Sequence, residues 1–257
     1  MVKKNIKLVH TSDTHLGGDW HSQLSRDAFK TIVQSVTQVE ADALLIVGDV
    51  FDHARIEDEL LEFFLGQIAS INQPVVILPG NHDIYDSNSL YLRTPFLKAP
   101  PNFNILKAFD GEVISFPDLC LDIWGRAMLV HTPEFKPLEG MRHSGNDHWL
   151  IALAHGHFHF DDDKDIRSAP IYPHEVEHAV CDYLALGHWD RHVDVSQGDV
   201  RAVYSGAPLG AVQTNDTVAF TLVELDPFNG VLTQQVTTPI SVSYTHLRAH
   251  ETDSYVV

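Results

Sequence analysis

The chain of 257 residues is 44% hydrophobic and 20% charged, a balance that suits one soluble globular domain with a sizeable core. Asp and Glu number 35 against 17 Lys and Arg; the net charge of −18 excludes a non-specific binder of nucleic acid or membrane, so any polyanion must be met locally. Seventeen histidines beside two cysteines point to metal ligation through nitrogen and oxygen rather than through thiolate.

The N-terminal stretch MVKKNIKLVHTSDTH is too briefly apolar for a signal peptide, and no segment approaches the ~18 apolar residues of a membrane span, which predicts a cytoplasmic protein. Ile6–His10 reads as a strand, followed by a polar loop from Ser12 to Trp20. Leu24, Ala28, Ile32, Val36 and Val39 recur at helical spacing. ALLIV at 43–47 is a continuous apolar run, as in a strand buried on both faces. Leu60, Leu61, Phe64, Leu65, Ile68 and Ile71 predict a second helix stopped by Pro74, and Val75–Leu78 a third strand. This βαβαβ order implies a parallel sheet with helices on its faces, an α/β fold. Further strands are predicted at 112–116, 119–124, 150–154, 183–186, 202–204 and 218–225. Pro100–Pro101, Pro133 to Pro137 and the DDDKD run at 161–165 punctuate them as loops. Cys120 and Cys181 each sit alone in an apolar run and read as reduced core residues.

From Val242 the sequence VSYTHLRAHETDSYVV resembles a translated sequencing adapter. The expected division is therefore a single domain over 1–240 and a non-native tail over 241–257, which removes His246 and His250 as ligands. It also leaves open a continuation of the natural chain past Ile240.

Five apolar strands end in a metal-capable residue. DTH supplies Asp13 and His15, and GDVFD supplies Asp49 and Asp52. GNHD supplies Asn81 and His82, HGHFH supplies His155, and GHWD supplies His188 and Asp190. All lie at C-terminal strand ends, the edge where open α/β sheets bind ligands. Any one of these would be weak, but five in this order are a strong signal.

The set D-x-H, GD-x-x-D, GNHD, a later His and GH-x-x resembles the calcineurin-type metallophosphoesterases. VVILPGNHDIYDSNSLY, DYLALGHWDRHVDVS and VYSGAPLGA are similar to the SbcD-type DNA repair exonucleases and their relatives. The resemblance implies a four-layer α/β/β/α sandwich with two divalent ions, commonly manganese, with iron or zinc compatible with the same donors. Two ions about 3.5–4 Å apart need a bridging carboxylate. Asp49 is the natural bridge, since it follows a central strand and the resemblance puts it there. Asp13, His15 and Asp49 would hold the first ion; Asn81, His155, His188 and Asp49 would hold the second. A hydroxide shared between the ions would attack phosphorus in line, with the ions neutralising charge on the phosphoryl oxygens. His82 would serve the leaving oxygen as acid, with Asp52 orienting its ring.

His155 is preferred to His157 and His159 because it directly ends its strand, and His10 is expected to pack beneath the site. The final element departs from the SbcD pattern GH-x-H, having Asp190 in place of the second histidine. Residues 188, 190 and 192 would share one side of an extended segment, and Asp190, nearer His188, is favoured over His192 as ligand. The substrate expected is a phosphodiester, with DNA ends first and small phosphoesters second; a non-catalytic scaffold is disfavoured because the ligand set is filled. Arg93, Lys98, Arg126, Arg142, Arg167 and Arg191 are the candidates for a DNA-binding strip. The SbcD resemblance adds an SbcC-like ATPase partner and a homodimer if the natural chain continues.

Overall fold

The computed structural model describes residues 3–18, 22–142, 145–160, 162–165, 167–210 and 216–241. The adapter-like residues from Val242 onward, with His21 and His143, lie outside this set. In chain order the first half runs β1 (Ile6–Thr11), α1 (Ser22–Gln38), β2 (Ala43–Val47), α2 (Asp58–Ile68), β3 (Val75–Leu78) and β4 (Phe103–Ile105). Then come β5 (Glu112–Phe116), β6 (Leu121–Gly125), β7 (Trp149–His155), β8 (His157–Phe158), β9 (Pro170–Ile171), α3 (Pro173–Glu177) and β10 (Tyr183–Gly187). The last elements are β11 (Val193–Asp194), β12 (Arg201–Tyr204), β13 (Thr217–Asp226) and β14 (Gly230–Pro239).

Two six-stranded sheets result, ordered β14-β13-β1-β2-β3-β4 and β11-β12-β10-β7-β6-β5. The strands β1 to β4 run parallel, as do β6, β7, β10 and β12. Antiparallel partners close both edges of the second sheet and one edge of the first. Side-chain alternation decides what each face packs against. In the first sheet Leu8, Leu45, Val47 and Val76 meet Ile123, Ile151, Leu153 and Ala185 of the second. The intervening Val9, Leu44, Ile46 and Ile77 face Phe29, Ile32 and Val36 of α1 and Leu61 and Phe64 of α2. On the far side, Ala152, Leu184, Ala202 and Tyr204 are covered by Phe158, Ile171 and Val176. The α/β/β/α order is present, although its fourth layer is only α3, the β8–β9 pair and coil.

Among the elements that differ from the sequence reading, α2, β6 and β14 have a clear local cause. Helix α2 ends at Ile68, and Ala69, Ser70 and Ile71 complete its last turn through N–H bonds to the carbonyls of Leu65, Gln67 and Ile68, so the chain leaves the helix before Pro74 is reached. The strand expected at 119–124 starts at Leu121, because Pro117–Leu119 forms one tight turn and Cys120 takes a left-handed φ of 50°. The ten-residue β14 escapes the apolar-run criterion because its partly buried residues alternate with exposed polar ones and are split between the two faces, Val231 packing on the core between the sheets and Val236 on the helix side. Both cysteines are free, and burial pushes the Cys181 thiol up to about 12. Among the described residues no helix is long and apolar enough to cross a membrane.

Candidate metal centre

The five motif loops leave the C-terminal ends of β1, β2, β3, β7 and β10, and the sandwich brings those ends together from both sheets. Local backbone geometry aims the side chains. Asp13, His15, Asp49 and His188 hold positive φ values of 53°, 42°, 49° and 108°, conformations that non-glycine residues keep only where the surroundings enforce them. The enforcement is a pair of loops zipped together: Asp13 N–H donates to Gly48 O (3.0 Å), His15 N–H to Asp49 O (3.0 Å) and Leu16 N–H to Val50 O (2.9 Å). Gly48 itself sits at φ +80°, and a Cβ there would lie 2.0 Å from His155 Nδ1.

Two candidate ligand triads share Asp49. Asp13, His15 and Asp49 place their ligand atoms within 4.8 Å of one another, and so do Asp49, His155 and His188. The Asn81 amide oxygen joins the second group, 3.1 Å from His155 Nε2 and 2.9 Å from His188 Nδ1. His155 donates Nδ1–H to the Val47 carbonyl (3.0 Å), which turns Nε2 inward as the atom free to ligate. The other partners fix Asp49 and Asp13: His82 N–H donates to Asp49 Oδ1 (2.8 Å), and His188 N–H donates to Asp13 Oδ2 (2.9 Å). A carboxylate common to two oxygen-and-nitrogen clusters, with no sulfur, is a donor set that fits a pair of divalent ions.

Burial makes the centre electrostatically tense. Asp13, Asp49 and His155 are each 2–3% exposed. Burial pushes the Asp13 carboxyl up, to about 6, with His155 opposing the rise and Asp49 adding to it. Burial alone would lower the His155 imidazole, but Asp49 at 3.4 Å, together with Asp13 and the Val47 carbonyl, outweighs it and raises His155 to about 9. Burial would likewise raise Asp49, yet His155 holds its carboxyl below the ordinary carboxylate range. His188 is lowered to about 3 by burial and then by the neighbouring His155 charge.

The structure treats the remaining residues differently from the sequence reading. Asp52 does not orient His82 through its carboxylate: Oδ1 accepts from His15 Nδ1 (3.0 Å), whereas the Asp52 main-chain carbonyl accepts from His82 Nδ1 (2.6 Å). The reversal arises because Asp52 N–H donates to Leu16 O (3.1 Å), which ties residue 52 to the loop that carries His15. His15, Asp52 and His82 form a third compact group, with the two imidazoles edge to face at 4.8 Å. Asp190 is exposed on the rim of the cleft holding Asp13 and His15, outside all three groups. The extended segment expected through 188–192 is absent: the chain bends at His188, Asp190 and Arg191, and the half-buried His192 turns to Thr221 Oγ1 (3.2 Å) on β13. His10 packs beneath, its Nδ1 2.9 Å from the Tyr183 hydroxyl, and burial with the nearby His192 lowers it to about 3.

Asp83, quoted within GNHD but given no task, proves to be the brace of the site. Its buried carboxylate accepts from Gly80 N–H (2.7 Å), Val50 N–H (2.8 Å), Phe51 N–H (3.3 Å) and the Tyr91 hydroxyl (2.7 Å), fastening the loop after β3 to the loop after β2. Burial and then Asp49 push that carboxyl up. A carboxylate directly after two motif residues was the available signal. His131, also unassigned, is exposed with its ring 5.8 Å from that of His188.

The profile of calcineurin-like phosphoesterases matches residues 6–191, a span that includes every candidate ligand named above. The chain belongs to that family. Among curated members, it is 24% identical over 243 residues to the SbcD component of the SbcCD nuclease of Bacillus subtilis, covering 79% of this chain and 62% of that protein. It is 35% identical over 91 residues to the DNA double-strand break repair protein Mre11 of Methanosarcina acetivorans, 32% of this chain and 15% of that one. It is 31% identical over 149 residues to the 3′,5′-cyclic adenosine monophosphate phosphodiesterase CpdA of Vibrio vulnificus, 53% of each. The chain thus spans less than two thirds of these relatives. Among solved structures, TT1561 of Thermus thermophilus superposes with a TM-score of 0.55 at 13% identity, covering 92% of this chain and 100% of that one. A dimetal phosphatase from Danio rerio gives 0.51 at 11% identity, covering 92% and 99%. At these identities the likeness concerns the fold.

Proposed function

We propose that this protein is a two-metal phosphodiesterase, with DNA ends as its first substrate class. The observation that carries the reading is Asp49 shared between two ligand groups with His82 exposed beside them. Asp13, His15 and Asp49 would hold one ion; Asp49, Asn81, His155 and His188 would hold the other. Manganese is the proposed metal, with iron and zinc as alternatives, since the donors are oxygen and imidazole nitrogen without sulfur. When bound, the ions supply Lewis acidity and neutralise charge on the phosphoryl oxygens.

The chain's own contribution is to position and to move one proton. Asp52 O fixes the His82 tautomer by accepting from Nδ1–H, which leaves Nε2 as the ring atom free to meet a substrate. In the imidazolium state Nε2–H donates to the leaving oxygen, and the rigid carbonyl contact keeps the ring aimed while it does so. His15, clamped by Asp52, is prevented from swinging out of its group.

The likeness to SbcD and Mre11 supports DNA as substrate and, by the same analogy, an ATPase partner and a second copy of this chain. A specific observation favours small phosphodiesters as the second reading. Of the basic candidates, Arg93 is spent on Asp58 and the Ile56 carbonyl, and Arg126 is buried against the Phe109 and Lys136 carbonyls and Glu139. The test loads the full chain with manganese and offers end-labelled linear duplex DNA and bis(p-nitrophenyl) phosphate, with EDTA and His82→Gln as controls. Loss of label abolished by both controls is the expected result. Intact DNA with hydrolysed chromogenic diester selects the second reading, and hydrolysis of neither overturns the phosphodiesterase.

A further inference from the structure

His155 and His188 belong to the same ligand group but are held in different ways. The His155 ring is fixed from outside by its Nδ1–H bond to the Val47 carbonyl. His188 presents Nδ1 to Asn81 Oδ1 at 2.9 Å, and no described residue bonds its Nε2. A ligating imidazole ordinarily gives its second ring nitrogen to a partner that sets its orientation. For His188 the surrounding rings take over. Three meet it edge-on: His155 at 5.3 Å, His131 at 5.8 Å and His157 at 6.1 Å. His155 is itself a candidate ligand and His131 is exposed, which leaves His157 as the outer wall.

That wall is gripped at both nitrogens. Trp189 Nε1–H donates to His157 Nδ1 (3.2 Å), and His157 Nε2 lies 3.7 Å from Asp163 Oδ2, which assigns the ring proton to Nε2. Trp189 in turn stacks on the fully buried Tyr204, with centroids 4.5 Å apart and planes at 14°. The Tyr204 hydroxyl donates to the Gly156 carbonyl (2.7 Å). Gly156 lies between His155 and His157, and Trp189 directly follows His188. These contacts therefore tie the end of β7 to the loop after β10, the two segments that carry the imidazoles of the second ligand group.

We propose that Trp189 and His157 are positioning residues for His188: the indole N–H fixes the His157 ring, and that ring, with the indole seated on Tyr204, holds the His188 imidazole towards Asn81 and Asp49. The inference rests on the two-metal reading and deepens it, because affinity for the second ion then depends on a hydrogen bond that touches neither metal nor substrate.

The experiment is manganese titration calorimetry of the full chain and four variants. Trp189→Phe keeps a ring on Tyr204 and removes the donor. His157→Leu removes the acceptor, and His157→Asn returns an amide oxygen near the place of Nδ1. Trp149→Phe is the control: its indole donates to the Lys4 carbonyl (2.8 Å) at the opposite end of β7, about 20 Å from His155. Trp189→Phe and His157→Leu are expected to weaken one of the two ions about fivefold, the scale of one neutral hydrogen bond, and to leave the other within about twofold. His157→Asn recovers the affinity, and Trp149→Phe changes neither ion. With bis(p-nitrophenyl) phosphate, Trp189→Phe lowers kcat at limiting manganese while KM holds, and saturating manganese restores kcat, a recovery that a folding defect does not allow. Unmoved affinities in Trp189→Phe, or the same loss in Trp149→Phe, overturn the positioning role and leave the two-metal phosphodiesterase in place. An unmodified chain that binds fewer than two manganese ions overturns both.

Discussion

Gly187 ends β10 where the two sheets come closest to the metal centre. A Cβ placed on it would lie 1.8 Å from the Val47 carbonyl oxygen, 2.9 Å from His155 Nδ1 and 3.0 Å from Ser12 Cβ. Val47 is fully buried in the middle of its sheet and cannot retreat. Gly187→Ala must therefore part β2 from β10, which costs about 1–3 kcal/mol as overpacking. The same carbonyl accepts the His155 Nδ1–H bond at 3.0 Å, and weakening that bond costs about 1 kcal/mol more. A total of about 2–4 kcal/mol corresponds to a fall in Tm of about 4–16 °C for a domain of this size. Because the lost bond sets the His155 tautomer, affinity for manganese should drop by about 10–100-fold. Gly66→Ala is the internal control, since a Cβ there meets nothing within 4 Å on α2. It should stabilise by about 0.5–1 kcal/mol through helix propensity. Thermal unfolding and metal titration of the two variants side by side decide the matter. A Gly187→Ala protein with unchanged Tm and manganese affinity refutes the close-approach argument.

Asp49→Asn should remove both ions rather than one, because Asp49 belongs to both ligand groups; metal analysis after dialysis reads this directly, and one ion retained at native affinity contradicts the bridge. Manganese binding at pH 7 should release a proton from His155, whose raised pKa of about 9 keeps the metal-free imidazole charged, so affinity rises with pH until about pH 9. Titration calorimetry in buffers of different protonation enthalpy checks it, and a buffer-independent heat would refute it. Asp122 is the stability counterpart. Burial would raise its carboxyl, but bonds from His148 Nδ1 (3.0 Å), the Ser115 hydroxyl and Asn146 Nδ2 (2.8 Å) hold it below the ordinary value. A depressed folded pKa gives stability that is present above the unfolded value of about 3.9 and lost as pH falls through the folded one. Asp122→Asn should therefore lower Tm at pH 6 and shrink the gap to the unmodified chain as the medium is acidified below about pH 4; a pH-independent gap counts against it.

The sequence by itself determined β1, β2 and β3 of the first sheet, the two large helices and the strand-end positions of the candidate ligands. ALLIV and VVIL are buried on both faces, and a run with no polar break has no other stable place in a chain this size. Placing Asp13, Asp49, Asn81, His155 and His188 at strand ends needed only that the strands run parallel, since the loops then leave from one edge. What only the tertiary structure decided is where those loops send their side chains. Asp52 turning to His15 rather than His82, Asp83 binding two loops together and His192 leaving for Thr221 depend on partners 37, 33 and 29 residues away. The bend that places Asp190 on the rim begins at His188, whose φ of 108° is held by an Asp13 contact spanning 175 residues. Periodicity reports which face of an element is dry; it carries no information about a left-handed residue whose conformation is enforced from the other sheet.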